Sequence, residues 1–377
     1  MMSKPRIPLA APDFGDSEID AVTEVLRSGW VTQGPQVQRF EKAFAAHHAL
    51  GHAVACTSGT AALHLALMAL GIGPGDEVVV PSFTWIASAN VVRFCGATPV
   101  LADIDPQTFN MTADTLKPRL TDKTRAVICV HMFGLPADVA SIRRVLPAGV
   151  HLVEDAACAA GARTSEGFVG GLGDIAAFSF HPRKSITTGE GGMVTTNSGV
   201  LADAVRMLRN HGAAAQNDGL SAPWDMGTFP VFGLNYRMPD ILAAVGSVQL
   251  DRLDSFIDRR AALSAGYTAR LGGLQWLCLP EALAGVRHAW QSYVVSVTAD
   301  APAGRNDIMT MLAEAGISTR PGTHAVHMQA CYRDAYGYRT DDLPHARDAA
   351  AQSLALPLFN ALREDQLDYI CDVLLNI

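Results

Sequence analysis

Three short stretches of this 377-residue chain put reactive side chains where chemistry is usually done. The first is Phe178-Ser-Phe-His-Pro-Arg-Lys184, which leaves a strand-like run and enters a compact loop, followed by the Gly-rich turn up to Gly192. A lysine that is neutral part of the time can form a Schiff base with a carbonyl, and burial or a neighbouring cation such as Arg183 favours the neutral amine. Most loop lysines are simply solvated; this one sits among Ser, Thr and Gly rather than on a charged face. The second stretch is His151-Leu-Val-Glu-Asp155, an apolar run closed by two acids. Open α/β sheets gather ligands at the carboxyl ends of their strands. An acid there can keep a pyridine nitrogen protonated, so that the ring draws in electrons, or it can cap the next segment. The third is Ser58-Gly59-Thr60, between strand-like AVACT and helical AALHLALMAL. A helix N-terminus offers free N–H groups and the positive end of a dipole to a phosphate, and the same residues also make an ordinary helix cap.

Further candidates are weaker one by one. Trp85, just past a strand end, can stack on a flat ring or fill a core. Gly233-Leu-Asn235-Tyr-Arg-Met-Pro-Asp240 reads as the entry to a helix. Arg320-Pro-Gly-Thr-His324-Ala-Val-His327 is a loop whose two histidines suit substrate contact or packing. A metal is not expected there, because no carboxylate or cysteine stands at ligand spacing and H-E-x-x-H is absent. The turn at Ser58 lacks the G-x-G-x-x-G of a nicotinamide site.

The elements that must hold these residues are legible from pattern. Seven candidate strands, Ala53–Thr57, Glu77–Pro81, Thr98–Asp103, Ala126–His131, His151–Glu154, Ala176–Phe180 and Met193–Thr196, are rich in Val, Ile, Phe and Thr. Helical patterns separate them at Ala61–Leu70, Trp85–Phe94 and Asp138–Val145, and Leu201–Arg209 follows. Strands apolar on both faces with helices between them predict a largely parallel α/β sheet. One long helix is predicted over Pro239–Ile257, then a second α/β pattern with a strand at Ser292–Val297 and a helix at Asn306–Ala315. The domains are placed at 1–250, with the N-terminal segment, and 251–377.

Composition narrows the function. A hydrophobic content of 49% supports a large core, and a formal charge of −8 argues against a nucleic-acid surface. Seven scattered cysteines without C-x-x-C fit a reducing compartment. The N-terminus lacks the apolar run of a signal peptide, and no stretch is suited to span a bilayer, so a cytoplasmic protein without a membrane partner is expected.

In order and spacing these motifs resemble one family. S-G-T before a helix, P-S-F-T-W, V-E-D-A-A, S-F-H-P-x-K with T-T-G-E-G-G, N-Y-R-M and a late R…H…H loop are similar to the DegT/DnrJ/EryC1/StrS sugar aminotransferases. SGWVTQGPQVQRFEKAFA, GIGPGDEVVVPSFT and GATPVLADID match that family's earlier blocks, so the resemblance spans nearly the whole chain. It implies a PLP-transferase fold of type I, with a mixed seven-stranded sheet in a large domain and a smaller C-terminal α/β domain. It implies pyridoxal 5'-phosphate held by Lys184, which would also shuttle protons, and Asp155 on the pyridinium nitrogen. Trp85 would stack on the ring, while Ser58, Gly59, Thr60 and Ser179 would bind the phosphate. Asn235 would reach the phosphate of a partner subunit, which implies a homodimer with shared sites. Cys158 stands where relatives often carry Gln or His near the cofactor's phenolic oxygen, and a thiol is a weak donor and acceptor.

The resemblance further implies L-glutamate as amino donor and a nucleotide-linked keto-sugar, most simply a 4-keto-6-deoxyhexose, as acceptor. Arg183, Arg209, Arg237 and Arg320 are candidates for its diphosphate, His324 and His327 for sugar hydroxyls, and Gly29, Trp30 and Thr32 for the sugar side. A cyclitol aminotransferase of the scyllo-inosose type would use the same residues. A PLP-dependent sugar dehydratase would carry histidine in place of Lys184, and a non-catalytic PLP-binding regulator would add a DNA-binding module.

Overall fold

The computed structural model describes residues 6–214 and 227–377. Seven strands form one sheet: β1 (His52–Cys56), β2 (Glu77–Pro81), β3 (Thr98–Ala102), β4 (Thr124–Val130), β5 (His151–Asp155), β6 (Ile175–Ser179) and β7 (Gly192–Thr196). Their order across the sheet is β1-β7-β6-β5-β4-β2-β3. The pairs from β6 to β3 are parallel. β7 is antiparallel to both its neighbours, so the sheet is mixed, as the resemblance implied.

Because side chains alternate across a strand, each strand feeds two cores. Val78, Val80 and Val153 face one core, while Val79 and Leu152 face another. Helices cover both faces: α1 (Asp16–Ser28), α2 (Pro35–His47), α3 (Gly59–Ala69) and α4 (Ala87–Phe94) come first in the chain. α3 is apolar nearly all round and is buried accordingly. α2 is anchored by Asp240, whose carboxylate accepts from the N–H groups of Gly34, Gln36 and Val37 at 2.8, 3.1 and 3.0 Å.

The long helix expected over Pro239–Ile257 is two helices, Asp240–Asp251 and Leu253–Leu271. They meet at Arg252, whose guanidinium pairs with Asp13 at 2.6 Å and Glu18 at 3.1 Å. That tie to the start of the chain is not visible in helical periodicity. A second sheet joins Leu277–Cys278, Tyr293–Val297 and Ser353–Leu356. Its core holds Tyr267, Tyr293, Ile308 and Leu367, and also takes in Ile7 from the N-terminal segment. Among the described residues no helix is long and apolar enough to cross a membrane.

Candidate active site

A cleft of about 340 Å³ lies where β5 and β6 end, closed on one side by α3 and α4 and on the other by the C-terminal sheet. Ser58, Gly59, Thr60, Trp85, Asp155, Cys158, Ser179, Arg183, Lys184 and Arg320 all line it.

The acidic pair at the end of β5 is split by strand alternation. Glu154 is fully buried and structural. It accepts from the N–H groups of Gly170, Leu172 and Gly173 at 3.0, 2.9 and 2.6 Å, and meets His131 Nε2 at 3.0 Å. The N–H of Ala137 donates to His131 Nδ1 at 3.0 Å, which leaves the ring's own proton on Nε2 for Glu154. Asp155 points the other way, into the cleft. Its Oδ2 accepts from the Ser88 hydroxyl at 2.7 Å and its Oδ1 from the Ala157 N–H at 3.1 Å. It is buried, yet forms no ion pair among the described residues. A buried carboxylate with neutral partners only is costly unless a cation joins it.

Ser58 does cap α3, its hydroxyl accepting from the Ala61 N–H at 3.1 Å. That bond leaves the N–H groups of Gly59 and Thr60 without an acceptor among the described residues. Gly59 is required by close approach: a Cβ there would lie 2.7 Å from Ser179 Cβ. The turn also rests on Gly192, where a Cβ would lie 2.3 Å from the Ser58 carbonyl oxygen. First-turn N–H groups and the hydroxyls of Thr60 and Ser179, without a partner among the described residues, thus belong to one wall of the cleft, an arrangement suited to a phosphate.

Lys184 is half-buried, and its Nζ donates to Cys158 Sγ at 3.2 Å. The thiol therefore touches the amine itself. Gln291 braces the lysine loop: its Nε2 donates to the Arg183 carbonyl at 2.7 Å, and its N–H donates to the Phe133 carbonyl at 3.0 Å. Phe133 holds a left-handed backbone, φ 55°, a strained state for a non-glycine residue and one often found at functional sites.

These groups fit pyridoxal phosphate. The unpaired Asp155 suits a pyridinium, the α3 N-terminus suits the phosphate, and Lys184 suits the aldehyde. Trp85, 51% exposed, stands at the rim with its ring centroid 5.5 Å from that of His324.

Other sequence candidates lie elsewhere. His327 is fully buried, with Nδ1 2.8 Å from Ser82 Oγ and Nε2 3.1 Å from the Thr340 carbonyl, so no sugar hydroxyl can reach it. Arg209 is buried against Glu41 and the Ala55 carbonyl, both at 2.5 Å, and Arg237 bonds Asn210 at 2.7 Å. Both hold the fold. Gly29, Trp30 and Thr32 lie outside this chain's cleft, with Trp30 Nε1 bonded to the Gln33 carbonyl at 3.2 Å. Asn235 is exposed and likewise outside it. Sequence reasoning missed Ser88 and Gln291, since neither carries a motif of its own. Only their distant partners give them a role. Among the described residues no group of His, Cys, Asp and Glu can hold a metal.

Comparison with known proteins points the same way. The model of the DegT/DnrJ/EryC1/StrS aminotransferase family matches residues 12–375. The GDP-perosamine synthase of Caulobacter vibrioides is 41% identical over 373 residues, covering 98% of each chain. Among solved structures, the aminotransferase TlmJ from Streptoalloteichus hindustanus is 34% identical with TM-score 0.89, covering 98% of this chain and 97% of that one. The PLP form of Spr1654 from Streptococcus pneumoniae is 30% identical with TM-score 0.90, again covering 98% and 97%.

Proposed function

Since the chain belongs to the DegT/DnrJ/EryC1/StrS aminotransferase family and is thus a PLP-dependent sugar aminotransferase, we propose that it moves an amino group from L-glutamate to a nucleotide-linked 4-keto-6-deoxyhexose. The observation that carries the site is the pairing in one cleft of the Lys184 amine with a buried Asp155 carboxylate that lacks a cation. The sugar nucleotide is supported by the 41% identity to a GDP-perosamine synthase.

When bound, pyridoxal phosphate supplies a carbonyl carbon that exchanges amines and a ring that accepts electron density from substrate Cα. This chain's residues do the rest. Lys184 Nζ would hold the group, and as a free amine it would take a proton from the donor's Cα and hand it on. Cys158 touches that nitrogen, accepting from it at 3.2 Å. Asp155, aimed by Ser88 and Ala157, balances the ring nitrogen's positive charge. Gly59, Thr60, Ser58 and Ser179 hold the phosphate, and Trp85 covers the ring.

The functional unit in this reading is a homodimer acting in the cytoplasm. Asn235 follows a segment with Phe229 and Phe232 exposed, Phe232 by 98%, which suits burial against a second copy. From there Asn235 reaches the partner's phosphate site. All seven cysteines are free, consistent with a reducing compartment.

The test is spectroscopic first. With pyridoxal phosphate the wild type should show a visible band that L-glutamate bleaches and that borohydride fixes on the Lys184 peptide. Lys184→Ala should show neither. Amination is then assayed with nucleotide keto-sugars and cyclitol ketones. Turnover confined to simple keto acids would remove the sugar assignment while leaving the cofactor chemistry.

A further inference from the structure

The cleft is small for its task. At about 340 Å³ it lies at the low end of ligand sites, which run from ~300 to 1,000 Å³, and it must take both cofactor and sugar. The diphosphate of a nucleotide-linked substrate needs room beyond that.

Beside the cleft opens a groove of about 280 Å³ that shares Arg320 and Thr323 with it and adds Arg305 and His324. Both arginines are hung on the strand Ser353–Leu356. The Arg320 carbonyl accepts from the Ala355 N–H at 2.8 Å. Arg305 Nη1 donates to the Ser353 carbonyl at 2.7 Å, and Nη2 to the Ala350 carbonyl at 3.2 Å. Arg305 Nε also donates to Asn306 Oδ1 at 2.8 Å, and Arg320 Nε donates to the Pro321 carbonyl at 3.2 Å. Every acceptor is neutral.

Among the described residues neither guanidinium forms an ion pair, in a chain of net charge −8 where Arg252, Arg270, Arg287 and Arg347 each hold a carboxylate. Burial lowers the pKa of Arg305, yet a guanidinium stays charged in a protein. Two planar cations with N–H groups left over, facing one groove, are the donor set that phosphate oxygens take bidentately. Strand tethering holds Arg305 in place before any ligand arrives, which reduces the ordering cost of binding.

We propose that this groove binds the diphosphate of the sugar substrate, with Arg305 and Arg320 as its ligands. The sugar then passes His324 and Trp85, whose ring centroids lie 5.5 Å apart, to reach Lys184. The groove thereby selects nucleotide-linked sugars over free cyclitol ketones, which leave both cations unmatched. This rests on the sugar-nucleotide reading given above.

The test is calorimetric titration of the holoenzyme with inorganic pyrophosphate, so that the cofactor already fills its own phosphate site. Wild type should bind. Arg305→Gln and Arg320→Gln should each weaken binding about 10-fold or more, the usual effect of losing a charged hydrogen bond. Each should also flatten the dependence of Kd on salt. Arg320→Gln keeps the test alive if Arg305→Gln fails to fold, because among the described residues the Arg320 side chain bonds only its neighbour's carbonyl. Undiminished binding in the variants places the anion elsewhere and overturns the groove, leaving the sugar-nucleotide reading in place. A wild type that binds no pyrophosphate but aminates a free cyclitol ketone overturns both.

Discussion

Replacing Asp155 by Asn separates a cofactor ligand from a helix or strand cap, because only a cap predicts a clear loss of stability in the cofactor-free protein. The carboxylate is buried and, among the described residues, bonded only to the Ser88 hydroxyl and the Ala157 N–H. Leaving a buried charge without its partner costs about 3–5 kcal/mol, and a hydrogen bond to a charged group returns about 1.5–3 kcal/mol. Two such bonds return about as much as the penalty costs, which leaves the carboxylate near balance. Asparagine is nearly isosteric. Its oxygen can keep one donor, while the Ser88 hydroxyl turns to accept from its NH2 group. The cofactor-free variant should therefore be about as stable as wild type. Cofactor binding should fall. Loss of one charge-assisted bond of about 1.5–3 kcal/mol weakens Kd roughly 10- to 150-fold. Urea unfolding of both cofactor-free proteins and a fluorescence titration with pyridoxal phosphate measure the two halves. A cofactor-free variant that unfolds at lower urea, with Kd unchanged, would make Asp155 a structural cap and refute the reasoning.

Three other perturbations test the frame around the site. Glu154→Ala, one residue away, strands the buried N–H of Gly170, the half-buried N–H groups of Leu172 and Gly173, and His131. At ~1–3 kcal/mol each it should leave little folded protein, read as soluble yield, and normal yield would show that water replaces the carboxylate. Gly59→Ala puts a Cβ 2.7 Å from Ser179, so it should cost about 1–3 kcal/mol in urea unfolding and weaken cofactor affinity; a variant equal to wild type in both would mean the turn can shift freely. Burial pushes His48 and His288 down from 6.5 to about 3. For His48 the Gly161 N–H donates to Nε2 at 3.0 Å, which a proton there would oppose. Unfolded chains take up these protons first, so the stability is full above pH 6.5 and is lost as pH falls towards 3. About 2 kcal/mol per histidine should be gone by pH 5. Urea midpoints at pH 7 and pH 5 check this, and His48→Gln should reduce the slope; a slope unchanged in that variant would assign the loss to other groups.

Much of the chain's organisation was legible because it is local. Alternation and β-branched runs placed all seven strands of the main sheet within a few residues, and Gly71 and Gly96 sit just past the ends of α3 and α4. Lys184 and Asp155 could be picked out because each closes a strand-to-loop transition, and strands of an α/β sheet point their carboxyl ends at one edge. What sequence could not resolve were partners far apart in the chain. Arg209 and Arg320 look alike in sequence, but Glu41, 168 residues away, claims the first while the second lines the cleft. His324 and His327 are three residues apart, and only the packing of Ser82 and Thr340 buries His327.

By itself, then, the sequence determined the elements and the family, and it marked Lys184 and Asp155 as candidates, since these depend on neighbours along the chain. Tertiary structure alone decided that β7 runs against the sheet, that the long helix breaks at Arg252, that Cys158 touches Lys184, and which arginines are left without a carboxylate. Each of these depends on a charge or hydrogen bond closed across a long loop. No local pattern encodes such a closure, because its energy exists only once the fold has brought both ends together.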